Sequence, residues 1–194
     1  MSLSQRKSEF RKTAMSRRAA AAGKAPADAA ARLAGHLDGQ FGTGPGRVIS
    51  GYLAIGDELD VAPALEALAA RGHEIALPVV VAMGAALEFR GWTRETALED
   101  GPLGTRHPAA ESPVLVPDLL LIPLLAFDGE GYRIGWGGGF YDRTLAALRA
   151  EKTVTAVGVG LAAQRVDKVP RDHHDARLDW IATEAGLHEV ATKS

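Results

Sequence analysis

The chain has no cysteine in its 194 residues. That absence excludes disulfides, thiolate nucleophiles and cysteine-based metal sites. An excess of one charge sign is also missing, since 22 Lys and Arg stand against 24 Asp and Glu for a net charge of −2. Nothing global therefore argues for a nucleic-acid partner or for an anionic membrane. No apolar run is long enough to span a bilayer. The N-terminus is polar and basic without an apolar stretch behind it, unlike a secretory signal. A cytoplasmic protein is expected, and a monomer. Repeats are absent, and so are low-complexity tracts beyond patches of alanine. No Gly-Lys-Ser/Thr triplet occurs, so the P-loop is excluded.

What the chain does have is concentrated in Gly131 to Arg143, G-Y-R-I-G-W-G-G-G-F-Y-D-R. Five glycines there alternate with aromatics, two arginines and an aspartate, and the stretch runs into a helical pattern from about Phe140 to Ala150. A loop this rich in glycine lets backbone N–H groups turn inward on an anion. The start of the helix adds its positive end. Arg133 and Arg143 bring side-chain charge, and Asp142 is a hard oxygen ligand suited to Mg²⁺. Together they suggest a site for a metal-bound phosphate chain. A flexible linker would not carry these residues between its glycines. The dinucleotide motif G-x-G-x-x-G also fails, because Phe140 stands where its third glycine belongs.

The length favours one domain over residues 1–194, with a helical N-terminal segment over 1–40. Helices are expected over about Ser4–Met15, Ala27–Leu37 and Pro63–Arg71, the last ended by Gly72. Strands are expected at Arg47–Ala54, Glu74–Val81, Leu87–Trp92, Asp118–Pro123, Thr153–Leu161 and Asp179–Thr183. The continuous apolar run D-L-L-L-I-P, Asp118–Pro123, fits a central parallel strand. Strands alternating with helices predict an α/β fold: a doubly wound, mostly parallel sheet with helices on both faces. Ligands of such sheets gather beyond the carboxyl ends of the strands, where the glycine loop falls.

These residues resemble the 5-formyltetrahydrofolate cyclo-ligase family nearly end to end. The resemblance rests on K-x-x-x-R at Lys7 and Arg11, Y-x-x-x-x-D-E from Tyr52 to Glu58, and the long block from Leu124 to Arg143. Gln164, Pro170, His174 and Asp175 complete it, in order. It implies MgATP-dependent closure of 5-formyltetrahydrofolate to 5,10-methenyltetrahydrofolate, with ADP and phosphate released. The formyl oxygen would be phosphorylated to an iminium phosphate, and N10 would displace the phosphate. Such chemistry asks for positioning and charge neutralisation more than for an acid–base pair.

Position by position, the resemblance implies ATP contacts at Lys7, Arg11, Arg133, Ile134, Gly135, Trp136, Gly137, Gly138, Gly139, Phe140 and Tyr141. Leu53 and Glu58 would meet the folate, together with the stretch from Trp136 to Phe140. Asp142 and Asp175 would bind Mg²⁺, and Tyr141 and Arg143 would stand at the reacting groups. From spacing alone, Lys7 and Arg11 read as a solvated basic helix face and Glu58 as a surface acid; Trp136 and Tyr141 read equally as core. The D-H-H-D run, Asp172 to Asp175, lacks the further ligand motifs that a metal-dependent phosphoesterase needs.

Three positions depart from the family. Gly138 stands where many members carry a lysine or arginine, Phe140 where tyrosine is common, and His107 in the place of a glutamate within G-T-R-H-P. Two other functions stay open on the residues: a folate- or nucleotide-binding paralogue without turnover, and an ATP-dependent ligase or kinase acting on another small molecule.

Overall fold

The protein is described by a computed structural model covering residues 1–191. Two helices, α1 (Leu3–Ala22) and α2 (Ala29–Phe41), precede strand β1 (Val48–Ser50). Helix α3 (Ala62–Ala70) leads to β2 (Glu74–Val79) and β3 (Glu88–Gly91). A small hairpin follows, β4 (Leu98–Asp100) with β5 (Arg106–Pro108). Strand β6 (Leu119–Pro123) runs into a second hairpin, β7 (Ala126–Phe127) with β8 (Arg133–Ile134). Helix α4 (Phe140–Glu151), β9 (Thr155–Val159), β10 (Trp180–Thr183) and β11 (Gly186–Glu189) complete the order.

One seven-stranded sheet, ordered β11-β10-β9-β6-β1-β2-β3, organises the molecule. Its inner five strands are parallel, while β3 and β11 close the edges antiparallel. The alternation of side chains along each strand builds two cores. Ile49, Ile75, Leu77, Leu119, Leu121, Val157 and Val159 face α2 and α3. Ala76, Leu120, Ile122, Ala156 and Ile181 face α4 through Leu145 and Leu148. Leu119 to Ile122 are fully buried, each contributing about 2 kcal/mol of transfer free energy. The predicted doubly wound, mostly parallel sheet with helices on both faces is therefore observed.

Several element boundaries differ from the sequence reading. β1 ends at Ser50 rather than Ala54, so Gly51 to Glu58 form a loop at the strand's carboxyl end. α1 continues to Ala22, beyond Met15, because arginines and alanines sustain it as far as Gly23. Its start is fixed by a reciprocal cap, in which Ser2 Oγ accepts from Gln5 N–H while Gln5 Oε1 accepts from Ser2 N–H. The two hairpins and β11 were not predicted; strands of two to four residues leave too little periodicity to read. Among the described residues no helix is long and apolar enough to cross a membrane.

Candidate active site

The chain leaves β1 for β2 on one side and later returns to lay β6 on the other side of β1. The carboxyl ends of β1 and β6 thus flank a topological switch point, where such sheets open a crevice. Three segments converge there: the loop to Glu58 after β1, the glycine loop leading into α4, and Asp172–Ala176 ahead of β10. Helix α1 lies against all three. Lys7 Nζ donates to Asp172 Oδ2 at 3.1 Å and to Asp175 Oδ2 at 2.6 Å. Arg11 Nε donates to the Gly135 carbonyl at 3.0 Å. Arg18 Nε donates to Asp57 Oδ1 at 2.8 Å, and Arg18 Nη1 to Glu58 Oε1 at 3.3 Å.

The helix can do this because positions 7, 11, 14, 18 and 21 lie on one stripe of a 3.6-residue period. Ala14, Arg18 and Ala21 are its buried members. Small residues allow close approach between cations that reach out to the loops. Ala14 packs with Leu125, Ala126, Ile134 and Val169 in a satellite core beneath α1. Ile134 belongs to that core, and its carbonyl accepts from Leu125 N–H at 2.8 Å. Its side chain is therefore committed to packing.

Past Ile134 the loop surfaces at Trp136, Gly137 and Gly138. Gly137 and Gly139 adopt φ values of 100° and 65°, a region costly for other residues. A Cβ on Gly137 would stand 3.0 Å from Arg11 Cζ, so the guanidinium lies directly on the loop backbone. Gly139 is the N-cap of α4 and supplies no capping side chain. The first-turn N–H groups of α4 thus keep their positive end without a side-chain cap. Arg143 turns back from that first turn, donating to the Gly138 and Ala85 carbonyls. Its guanidinium stands 5.5 Å from the centre of the Phe140 ring. Thr144 Oγ1 accepts from Leu87 N–H at 2.8 Å, tying α4 to the β2–β3 connection.

Two of the expected phosphate cations, Lys7 and Arg133, are paired with carboxylates, whereas Arg11 and Arg143 rest on backbone carbonyls. Arg133 Nη2 donates to Asp142 Oδ1 at 2.8 Å and its Nη1 to the Ala176 carbonyl at 2.7 Å. The Arg133 side chain is only 6% exposed. Asp142 Oδ1 also accepts from Ala176 N–H at 3.0 Å. Burial would lower the Lys7 ammonium, but the hydrogen bonds and charges of Asp175 and Asp172 outweigh it and hold its pKa above the usual lysine value. The His174 N–H, and then Lys7, hold the Asp172 carboxyl below the usual carboxylate range.

No group of three or more metal-ligating side chains is assembled among the described residues. A donor set for Mg²⁺ needs less, because one or two carboxylates suffice when phosphates and water complete the shell. Asp142 and Asp175 each bind their neighbours through one oxygen. Their second oxygens accept no hydrogen bond from the described residues, and as hard donors they fit this ion.

On the other flank, Glu58 is not the surface acid its spacing suggests. Its side chain is 5% exposed. Oε1 accepts from Trp136 Nε1 at 3.1 Å and Oε2 from Ile55 N–H at 3.0 Å. Trp136 itself stays 54% exposed and presents a free face. Tyr52 is buried and donates to the Leu59 carbonyl at 2.7 Å. Burial, followed by the Glu58 charge, raises both the Tyr52 and the Tyr141 hydroxyls far above the usual tyrosine value. Leu53, half-buried, packs on the core beneath this loop. His107 lies in the β4–β5 hairpin, opposite Glu99. Arg18 was missed in the sequence reading; its spacing of seven from Arg11 was the available signal.

The model of the 5-formyltetrahydrofolate cyclo-ligase family matches residues 3–184. The 5-formyltetrahydrofolate cyclo-ligase of Escherichia coli K12 is 34% identical over 143 residues, covering 71% of this chain and 78% of that protein. That of Mycolicibacterium smegmatis is 32% identical over 148 residues, covering 71% and 74%. The NMR structure of Aquifex aeolicus 5,10-methenyltetrahydrofolate synthetase matches with a TM-score of 0.73 at 26% identity, over 97% of this chain and 94% of that one. The fold is also that of a Mycoplasma pneumoniae 5,10-methenyltetrahydrofolate synthetase, at a TM-score of 0.70, 21% identity and 92% and 98% coverage. With the match running through every segment that meets at the switch point, the chain belongs to the 5-formyltetrahydrofolate cyclo-ligase family.

Proposed function

We propose that this protein catalyses the ATP-dependent cyclisation of 5-formyltetrahydrofolate to 5,10-methenyltetrahydrofolate, with release of ADP and phosphate. The observation that carries the reading is the convergence of a cationic helix, an uncapped helix start and a glycine loop on one crevice, with a buried carboxylate beside it. An amide-like formyl oxygen is a poor leaving group, so it must be converted to phosphate before N10 can close the ring. Oxygen attacks the γ-phosphorus and ADP departs; N10 then attacks the formyl carbon, phosphate departs and the N10 proton is lost to solvent.

In this reading Lys7, Arg11 and the α4 N-terminus gather the phosphates, and Gly135 to Gly139 let the backbone approach them. Arg143, at the same helix start, neutralises charge on the transferring group. Trp136 and Tyr141 offer ring faces to the flat substrate, and Glu58 accepts from pterin N–H groups. Arg133 orients Asp142. Asp142 and Asp175 are the residues that would hold Mg²⁺, which supplies charge neutralisation on phosphate oxygens when bound. The reading also carries a cytoplasmic location and a monomeric state.

The test is ADP release measured with a panel of folates. Release is expected with 5-formyltetrahydrofolate and not with 5-methyltetrahydrofolate, whose one-carbon group has no oxygen to phosphorylate. Binding of the 5-formyl compound without ADP release would make the protein a non-catalytic paralogue. Release with an unrelated acceptor alone would move it to another ligase or kinase reaction.

A further inference from the structure

Helix α1 carries a third cation on the Lys7–Arg11 face, to which the family resemblance gives no role. Arg18 is 3% exposed, the most enclosed charged residue of that helix. Its fork spans Asp57 and Glu58, and its guanidinium stands 5.0 Å from the centre of the Trp136 ring. Trp136 Nε1 donates to the same Glu58 oxygen that Arg18 holds. One side chain thus ties the loop after β1, the glycine loop and α1 together. Enclosing a guanidinium costs desolvation that only well-placed acceptors offset. Here those acceptors lie in an irregular loop at the crevice, not in the sheet.

We propose that Arg18 is the positioning residue of the folate side, holding the Glu58 carboxylate aimed and fixing Trp136 above it. The inference rests on the reading of Glu58 as a folate contact. Arg18 is the only cation paired with Glu58 among the described residues. Without it, the adjacent Asp57 and Glu58 carboxylates face each other beside the buried hydroxyls of Tyr52 and Tyr141. Glu58 then swings outward, which removes the acceptor offered to the pterin. An ammonium would keep the charge but not the planar fork that serves two carboxylates and stacks on an indole.

The experiment compares Arg18→Leu and Arg18→Lys with the wild type by steady-state kinetics, with the fold checked by circular dichroism. For Arg18→Leu the KM for 5-formyltetrahydrofolate is expected to rise about 30-fold, the low end of the loss when one partner of a buried charge pair is truncated. Arg18→Lys should fall between Leu and wild type, and the KM for ATP should stay within about threefold in both, since uniform binding is lost on one substrate only. A folded Arg18→Leu with an unchanged folate KM overturns the inference. So does an equal loss for both substrates with Lys no better than Leu, which is the signature of a structural role. If Arg18→Leu does not fold, Arg18→Lys decides: a raised folate KM supports the inference and a wild-type value overturns it. A wild type that neither turns over nor binds the folate overturns the functional reading, and this inference with it.

Discussion

Asp142→Ala separates the observed pairing of this side chain with Arg133 from its proposed role as a metal ligand. The Arg133 guanidinium, 6% exposed, rests on Asp142 Oδ1 and on the Ala176 carbonyl. Removing the carboxylate leaves a nearly buried cation on a single neutral acceptor. Breaking a fully buried pair costs roughly 3–5 kcal/mol. Asp142 keeps 30% of its side chain exposed, so water reaches the gap and the expected loss is nearer ~2 kcal/mol. For a chain of this size that lowers Tm by about 4–8 °C. Turnover should fall by at least about 100-fold, since even outer partners of metal ligands cost up to that much. Adding Arg133→Met removes the orphaned charge and should restore about half of the stability, because contacting residues are not additive. It should restore none of the activity. Thermal melts and ADP release on the two single variants and the double variant measure both quantities. A double variant that regains turnover would show that Asp142 serves only to hold Arg133. An Asp142→Ala protein as stable as wild type would refute the pairing argument.

Gly137→Ala places a side chain at φ +100° and a Cβ 3.0 Å from the Arg11 guanidinium. It should cost about 1–3 kcal/mol of stability and raise the KM for ATP more than that for folate; equal effects on the two substrates would count against an ATP-side position for Arg11. The Lys7–Asp172 contact sets a pH window. A carboxylate depressed in the folded state adds stability above its unfolded pKa of about 3.9, which is lost as pH falls through the lower folded value. A raised lysine adds stability below about 10.4, which is lost as pH rises past the higher folded value. The stability deficit of Asp172→Asn should therefore shrink between about pH 5 and pH 2, and a deficit constant with pH in urea melts would refute the linkage. His107→Glu sets two carboxylates opposite each other across β4 and β5, at Glu99 and position 107. It should lose about 0.2–1 kcal/mol of stability with kcat/KM unchanged, whereas a clear gain in kcat/KM would put position 107 in the site.

Much of the fold was legible because Leu119 to Pro123 and Thr155 to Val159 are apolar on both sides, as buried parallel strands must be. The glycine loop was legible because a tight turn with positive φ, as at Gly137 and Gly139, needs glycine there. The burial of α1 was hidden. Its contact face is alanine and arginine rather than leucine, so no apolar stripe announces it. Glu58 looked like a surface acid for the same reason, since the cation that covers it lies 40 residues away in sequence. The pairing of Arg133 with Asp142 and of Lys7 with Asp175 was also out of reach, because local pattern does not say which opposite charges meet. In this structure Lys7 and Arg133, two of the cations expected to meet phosphate, already hold Asp175 and Asp142, the carboxylates expected to meet metal.

Cyclo-ligase activity is read most directly from the near-ultraviolet absorbance of 5,10-methenyltetrahydrofolate after the protein is mixed with 5-formyltetrahydrofolate and MgATP. A rise is expected that requires the protein, ATP and Mg²⁺ together, and that is abolished in Asp142→Ala. A protein that binds both compounds yet gives no rise would contradict the assignment of cyclo-ligase activity to this crevice.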